Sequence, residues 1–75
     1  MIDIDSRYKE IRKHFEKDNT DTALLDRVYQ TAKRLHEGQF RKDGTPYISH
    51  PVEVALILAN LDFNVDVVSA GLLHD

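Results

Sequence analysis

The chain has 75 residues, a mass of 8.7 kDa and a formal net charge of −3 at pH 7, so it holds no more than one small domain. It has no cysteine, which excludes disulfides and thiolate metal sites. Its net acidity argues against DNA or general nucleic-acid binding, and its longest apolar run, residues 54–59, is far below the ~20 residues that span a bilayer. The acids Asp3 and Asp5 also argue against a signal peptide, so we expect a cytoplasmic globular protein without membrane contact.

Charged and apolar residues are unevenly distributed along the chain. All ten Lys and Arg lie in residues 1–46, whereas residues 47–75 contain 17 apolar residues among 29 and no basic one. The sequence stops at Leu72-Leu73-His74-Asp75, within an apolar stretch. We therefore expect residues 1–75 to form the N-terminal part of a single domain.

The N-terminal half predicts two amphipathic helices. The first covers residues 6–17, with Ser6 as its N-cap. Its apolar residues recur at helical spacing: Tyr8, Ile11 and Phe15. The second runs from about residue 21 to Glu37, where Gly38 suits the left-handed conformation that ends a helix. Its apolar stripe contains Leu24, Leu25, Val28, Ala32 and Leu35.

The C-terminal half predicts a polar loop and two further helices. The loop covers residues 38–50 and turns at Asp43-Gly44. Pro51 suits the first position of a third helix that reaches about Leu61, and a fourth helix is expected to start at Asn64 or Val65. Four helices without a strand pattern predict an all-α fold. The last two helices are apolar around much of their circumference, so we expect them to be covered on more than one side.

The four histidines of the chain differ in their surroundings. His14 lies among charged residues and is expected in solvent, while His36 is expected to cap the second helix or pack on the loop, with a place in a site wall as the alternative. His50 stands at the start of the third helix, and His74-Asp75 follows the fourth. Two imidazoles and a carboxylate suit a divalent cation. From these residues alone, the alternative remains open that His50 is an N-cap and Asp75 an ordinary carboxylate.

The loop before His50 carries two adjacent cations. A guanidinium at Arg41 can stack on a base, and an ammonium at Lys42 can bind phosphate. From these residues alone, however, a solvated basic pair on an exposed loop is the favoured interpretation. Phe40 and Tyr47 lie nearby in the sequence. The chain has no glycine-rich phosphate loop and no nucleophile-elbow sequence, so acyl-enzyme chemistry is not expected.

Two separated motifs then carry a resemblance. They are Ala32-x-x-x-His36-x-Gly38-Gln39-x-Arg41-Lys42-x-Gly44-x-Pro46-Tyr47-Ile48-x-His50-Pro51-x-x-Val54-Ala55 and Leu72-Leu73-His74-Asp75. Over about residues 21–75 the chain resembles the N-terminal hydrolase domain of the RelA/SpoT homologue family. The resemblance implies an HD-domain-like helical bundle and a metal phosphohydrolase that removes the 3′-pyrophosphate of ppGpp and pppGpp, usually with Mn²⁺.

The resemblance also implies roles for individual residues. His50, His74 and Asp75 match three of the family's four metal ligands. The substrate-binding positions implied are Arg41, Lys42, Tyr47 and Asp43. The family often has Ser at the position of Asp43, where a carboxylate can accept from guanine amino groups but repels phosphate. The family's catalytic acidic pair would follow Asp75, so we expect no catalytic residue within the chain and little or no turnover.

Three alternative functions fit the same sequence. In the first alternative the chain is a helical dimerising fragment whose exposed apolar faces form a homo-oligomer. In the second it is a degenerate HD domain with a regulatory role. In the third alternative it is a phosphohydrolase of another nucleotide such as NADPH, as in short relatives of the family.

Overall fold

The computed structural model describes residues 3–74, which form four α-helices joined by short loops. The helices are α1 (Ile4–Glu16), α2 (Ala23–Leu35), α3 (Ser49–Asn60) and α4 (Val65–Leu72). Within this part of the chain there is no strand, and a single antiparallel bridge pairs Phe40 with Pro46. The all-α prediction is confirmed. None of the described helices is long and apolar enough to cross a membrane.

Helix α1 begins earlier than predicted because Asp3, not Ser6, is its N-cap. Asp3 Oδ1 accepts the backbone N–H groups of Asp5 and Ser6 at 3.1 and 3.4 Å. The Ser6 hydroxyl donates to Asp3 Oδ2 at 2.9 Å. The predicted cap was therefore wrong: aspartate and serine are both good caps, and the upstream residue satisfies the first free amides of the helix.

Helix α2 ends two residues before the predicted position. His36 is its C-cap, and Gly38 then adopts a φ of +77° as expected for the residue that redirects the chain. At the other end of the helix, Asp21 Oδ1 accepts the N–H of Ala23 at 2.8 Å. The start of α4 follows the prediction, since Asn64 caps it by accepting the N–H of Val67 at 3.0 Å.

The core lies where α3 packs against both α1 and α4, with α2 packed on α4. Its fully buried side chains come from all four helices and include Ile11, Leu25, Tyr29, Val52, Val68 and Leu72. A β-carbon at Gly71 would lie 2.8 Å from Leu58 Cδ1 and 3.6 Å from Ala55 Cα. The absence of a side chain at Gly71 thus allows the C-terminal end of α4 to approach α3 closely.

Two tyrosines join α1 to α2 through reciprocal hydrogen bonds. Tyr8 of α1 donates to Asp26, Tyr29 of α2 donates to Asp5 at 2.6 Å, and the two rings stack with centroids 3.9 Å apart. Burial, and then these hydrogen bonds, raise the pKa of both tyrosines. The bond from Tyr29, and then that from Lys33, lower the pKa of Asp5. We call these five residues the tyrosine network: Tyr8, Tyr29, Asp5, Asp26 and Lys33.

Candidate metal and nucleotide site

The packing of α3 against α4 brings His50 and His74 together. Their Nε2 atoms lie 3.3 Å apart, and their rings are tilted by 59° with centroids 5.1 Å apart. His50 is the second residue of α3, so it lies inside the helix and is not its cap. His74 lies two residues beyond the end of α4. The structure therefore unites two of the three predicted metal ligands, which are 24 residues apart in sequence.

The orientation of His74 is set by a backbone carbonyl. Its Nδ1 lies 2.6 Å from the oxygen of Gly71. Because a carbonyl only accepts, Nδ1 carries the hydrogen, and a neutral His74 then holds a lone pair at Nε2. A hydrogen bond from the second ring nitrogen to a carbonyl is the contact that orients metal-binding histidines in many proteins.

The two imidazole nitrogens, Nε2 of His50 and Nε2 of His74, are placed so that they could bind one divalent cation. Two nitrogens bound to one ion at about 2.0–2.1 Å each must lie within about 4.2 Å of each other, and His50 and His74 satisfy this condition. Asp75, the third predicted ligand, lies outside the described residues. Across residues 3–74, no group of three His, Cys, Asp or Glu side chains is placed to hold a metal. The metal and its third ligand stay predictions.

The loop between α2 and α3 folds back on itself through backbone hydrogen bonds. Arg41 N–H donates to Thr45 O at 2.8 Å, Gly44 N–H to Arg41 O at 2.9 Å, and Tyr47 N–H to Gln39 O at 2.9 Å. Gly44 has a φ of +88°, which a glycine adopts without strain. The predicted turn at Asp43-Gly44 is confirmed, and it forms a short hairpin-like loop.

One face of this loop borders a cleft of about 570 Å³. Its lining consists of Phe40, Arg41, Lys42, Asp43, Tyr47 and His50. Small-molecule sites typically have volumes of about 300–1,000 Å³. The four predicted substrate-binding residues therefore line a single cleft of suitable size together with one of the two site histidines.

The cleft is bordered by two exposed cations. Within the described chain, neither Arg41 nor Lys42 forms an ion pair with a carboxylate. Asp43 Oδ1 instead accepts the N–H of Thr45 at 3.0 Å and its hydroxyl at 2.7 Å. These bonds, backbone first, lower the pKa of the Asp43 carboxyl group. The positive charge at this edge is thus available to an anionic ligand.

Three neighbours of the site were missed or only partly anticipated from the sequence. The ring of His36 lies against that of Tyr47, with centroids 4.7 Å apart, so His36 combines its predicted capping role with support of the cleft wall. Phe40, 64% exposed, lines the cleft itself. Gly71 was not singled out, although its position three residues before His74 is a spacing at which a histidine can reach a carbonyl at a helix end.

His14 lies at the surface, as predicted, but the sequence did not indicate its hydrogen-bond partner. Its Nε2 lies 2.7 Å from Asn60 Oδ1, which ties α1 to α3. His14 lines a second cleft of about 430 Å³ together with Lys13 and Lys17. None of the predicted site residues lines that second cleft.

Comparison with known families identifies the chain. The HD domain family matches residues 28–75, which is more than half of the sequence and includes both motifs that hold the site histidines. The chain belongs to the HD-domain family. The matched residues include the lining of the cleft and both histidines.

Curated relatives place this HD domain among the RelA/SpoT homologues, which confirms the resemblance. It is 53% identical over 51 residues to a GTP pyrophosphokinase of Streptomyces coelicolor, covering 68% of the chain and 6% of that protein. It is 49% identical over 51 residues to the bifunctional (p)ppGpp synthase/hydrolase SpoT of Escherichia coli, covering 68% of the chain and 7% of SpoT. A guanosine-3′,5′-bis(diphosphate) 3′-pyrophosphohydrolase of Borreliella burgdorferi is 37% identical over 68 residues, covering 91% of the chain and 10% of that protein.

Proposed function

We propose that this HD domain contributes to a metal-dependent hydrolase site that removes the 3′-pyrophosphate of ppGpp and pppGpp. The observation that carries the proposal is the convergence of the His50 and His74 Nε2 atoms, 3.3 Å apart, next to a cleft bordered by the exposed cations of Arg41 and Lys42. The hydrolase named among the relatives supports the same activity. A cytoplasmic location is part of the proposal.

Each residue of the site has a distinct task in this proposal. His50, His74 and Asp75 would hold a divalent ion, for which we propose Mn²⁺, and the ion would supply a Lewis acid that activates water. The Gly71 carbonyl keeps His74 Nε2 directed at that position.

The nucleotide would be bound by the loop. Arg41 offers a planar guanidinium that stacks on a base or forks onto phosphate, while Lys42 offers a compact charge for phosphate oxygens. Tyr47 provides an aromatic wall, and its contact with His36 limits the movement of its ring. A heavily anionic substrate is stabilised by such preplaced cations.

We also propose that the 75-residue polypeptide, tested alone, binds the nucleotide but turns it over very slowly. In the described lining of the cleft, Asp43 is the only carboxylate, and Thr45 already bonds to one of its oxygens. General acid–base catalysis contributes about 10²–10⁴-fold to such reactions, and the described lining offers no second carboxylate for this role.

Metal binding tests the centre of the proposal. We expect calorimetry to show one Mn²⁺ bound by the wild-type chain, and at least about 10-fold weaker binding by His50→Ala and His74→Ala. His14→Ala is the control, because it removes an imidazole that lies in a different cleft. Equal Mn²⁺ affinity in the wild type and in both site variants would contradict the site.

A nucleotide panel tests the substrate. The chain with Mn²⁺ is titrated with ppGpp, a deoxynucleoside triphosphate and NADPH. We expect ppGpp to bind most tightly of the three, and we expect Arg41→Ala to lose this binding. Preferential binding of NADPH would support the alternative phosphohydrolase instead. Turnover of ppGpp at the rate of a full hydrolase would overturn the claim that the polypeptide alone is slow.

A further inference from the structure

We propose that Asp43 is a positioning residue, whose carboxylate holds the turn of residues 41–45 in the shape that presents Arg41 and Lys42 to the cleft. In this role Asp43 does not recognise the nucleotide itself. The inference rests on the proposed function for its consequence, which is nucleotide binding. Its structural claim concerns the loop alone and can be measured without any nucleotide.

A continuous series of hydrogen bonds leads from this carboxylate to the backbone of the cationic segment. Asp43 Oδ1 accepts both the N–H of Thr45, at 3.0 Å, and its hydroxyl, at 2.7 Å. The carbonyl of the same threonine accepts the N–H of Arg41 at 2.8 Å. Asp43 thus holds Thr45 in place, and Thr45 in turn binds the backbone of Arg41 at the start of the turn.

The other contacts that the structure shows within this turn are backbone contacts. Gly44 N–H donates to Arg41 O at 2.9 Å, and the outer pair Phe40 and Pro46 closes the loop. Loss of the Asp43 acceptor would leave the Thr45 amide and hydroxyl without their partner. We expect the turn to loosen while the helices stay folded, because Asp43 is exposed and lies outside the core.

The two oxygens of the Asp43 carboxylate allow a positioning role to be distinguished from direct recognition of the nucleotide. Only Oδ1 accepts the two bonds from Thr45. Asparagine keeps an oxygen acceptor for those bonds but replaces the second oxygen with an amide that donates. A positioning Asp43 therefore tolerates Asn, whereas a carboxylate that accepts from guanine amino groups does not. Removal of the negative charge would also reduce repulsion of phosphate.

The first experiment measures the loop without nucleotide. Amide hydrogen exchange of Thr45 is followed by NMR in the wild-type chain, Asp43→Asn and Asp43→Ala. We expect the amide in Asp43→Asn to exchange within about 2-fold of the wild type and the amide in Asp43→Ala to exchange about 10-fold faster. Equal Thr45 exchange in the wild type and Asp43→Ala would overturn the proposal.

The second experiment measures the consequence for binding. We expect Asp43→Asn to bind ppGpp as tightly as the wild type or more tightly, and Asp43→Ala to bind about 10-fold more weakly. Asp66→Asn is the control, since it removes an exposed carboxylate that does not line the cleft. Equally weak binding by Asp43→Asn and Asp43→Ala would show direct recognition and overturn the positioning role.

The two experiments separate this inference from the proposed function. If the wild-type chain does not bind ppGpp, the proposed function fails, and Thr45 exchange alone then decides whether Asp43 positions the loop. If ppGpp binds but Thr45 exchange does not change in Asp43→Ala, the proposed function stands and the positioning role is overturned.

Discussion

At the scale of single residues, two buried serines differ in what their hydroxyl groups contact. Ser49 Oγ donates to the carbonyl of Pro46 at 2.7 Å, at the junction between the loop and α3. Ser69 Oγ, in α4, is buried without a hydrogen-bond partner among residues 3–74. A satisfied buried hydroxyl stabilises a fold modestly, whereas an unsatisfied one is destabilising because it has lost its bonds to water.

Alanine substitution of these two serines should therefore change the free energy of unfolding differently. We expect Ser49→Ala to lower the free energy of unfolding by about 1 kcal/mol, and Ser69→Ala to leave it unchanged or to raise it by up to about 1 kcal/mol. Urea unfolding followed by circular dichroism gives both values. A larger loss of stability in Ser69→Ala than in Ser49→Ala would contradict the assignment of its hydroxyl as unpartnered.

The same scale explains where the sequence predicted a cap wrongly. Asp3 and Ser6 are both suitable N-caps, and local sequence does not rank them. Asp3 is the cap in the structure, and its carboxylate accepts three bonds from the first turn. The earlier start adds Ile4 to α1, where it packs against the core. That packing is a tertiary contact, which no capping pattern contains.

At the scale of elements, the tyrosine network links α1 to α2 by polar contacts beside an apolar core. Tyr29 and Lys33 of α2 both donate to Asp5 Oδ1, at 2.6 and 3.1 Å. Arg12 of α1 adds an ion pair to Asp26, 3.0 Å from Nε to Oδ1. The relative placement of the two helices therefore depends partly on an ionised Asp5.

The lowered pKa of Asp5 predicts how this contact depends on pH. A carboxyl group with a lower pKa in the folded state contributes stability above its unfolded pKa of about 3.9, and that contribution is lost as the pH falls through the folded value. We expect the urea midpoint of the wild type to fall more steeply below about pH 4 than that of Asp5→Asn. Asp66→Asn controls for the removal of one negative charge, and parallel profiles for Asp5→Asn and the wild type would contradict the role of Asp5.

At the scale of the whole molecule, large apolar side chains at the C-terminal end of α3 remain exposed. Ile57, in the helix, is 57% exposed, and Leu61, the C-cap of the helix, is 65% exposed and lies four residues further on. The sequence predicted that the last two helices need cover on more than one side, and the described residues leave Ile57 and Leu61 uncovered. Adjacent exposed apolar residues favour association with other surfaces.

We expect this surface to cause self-association at high concentration. Sedimentation velocity should give a sedimentation coefficient that rises with the concentration of the wild-type chain and stays constant for Ile57→Lys combined with Leu61→Lys. Leu35→Lys is a matched control, because Leu35 is 63% exposed on α2. A sedimentation coefficient of the wild type that does not change with concentration would contradict the predicted homo-oligomer.

Local sequence was enough to predict the features that depend on neighbouring residues. These are the four helices, the start of the fourth at Asn64 or Val65, the turn at Asp43-Gly44 and the candidate ligands. Hydrophobic periodicity and capping act within a few residues, so they can be interpreted without a fold. The packing of the helices brings His50 to His74 and His14 to Asn60, and local sequence contains neither pairing. Those pairs are 24 and 46 residues apart, and each depends on the packing of two helices. The close approach of α4 to α3 at Gly71 gives the site its geometry, and local sequence does not specify that approach.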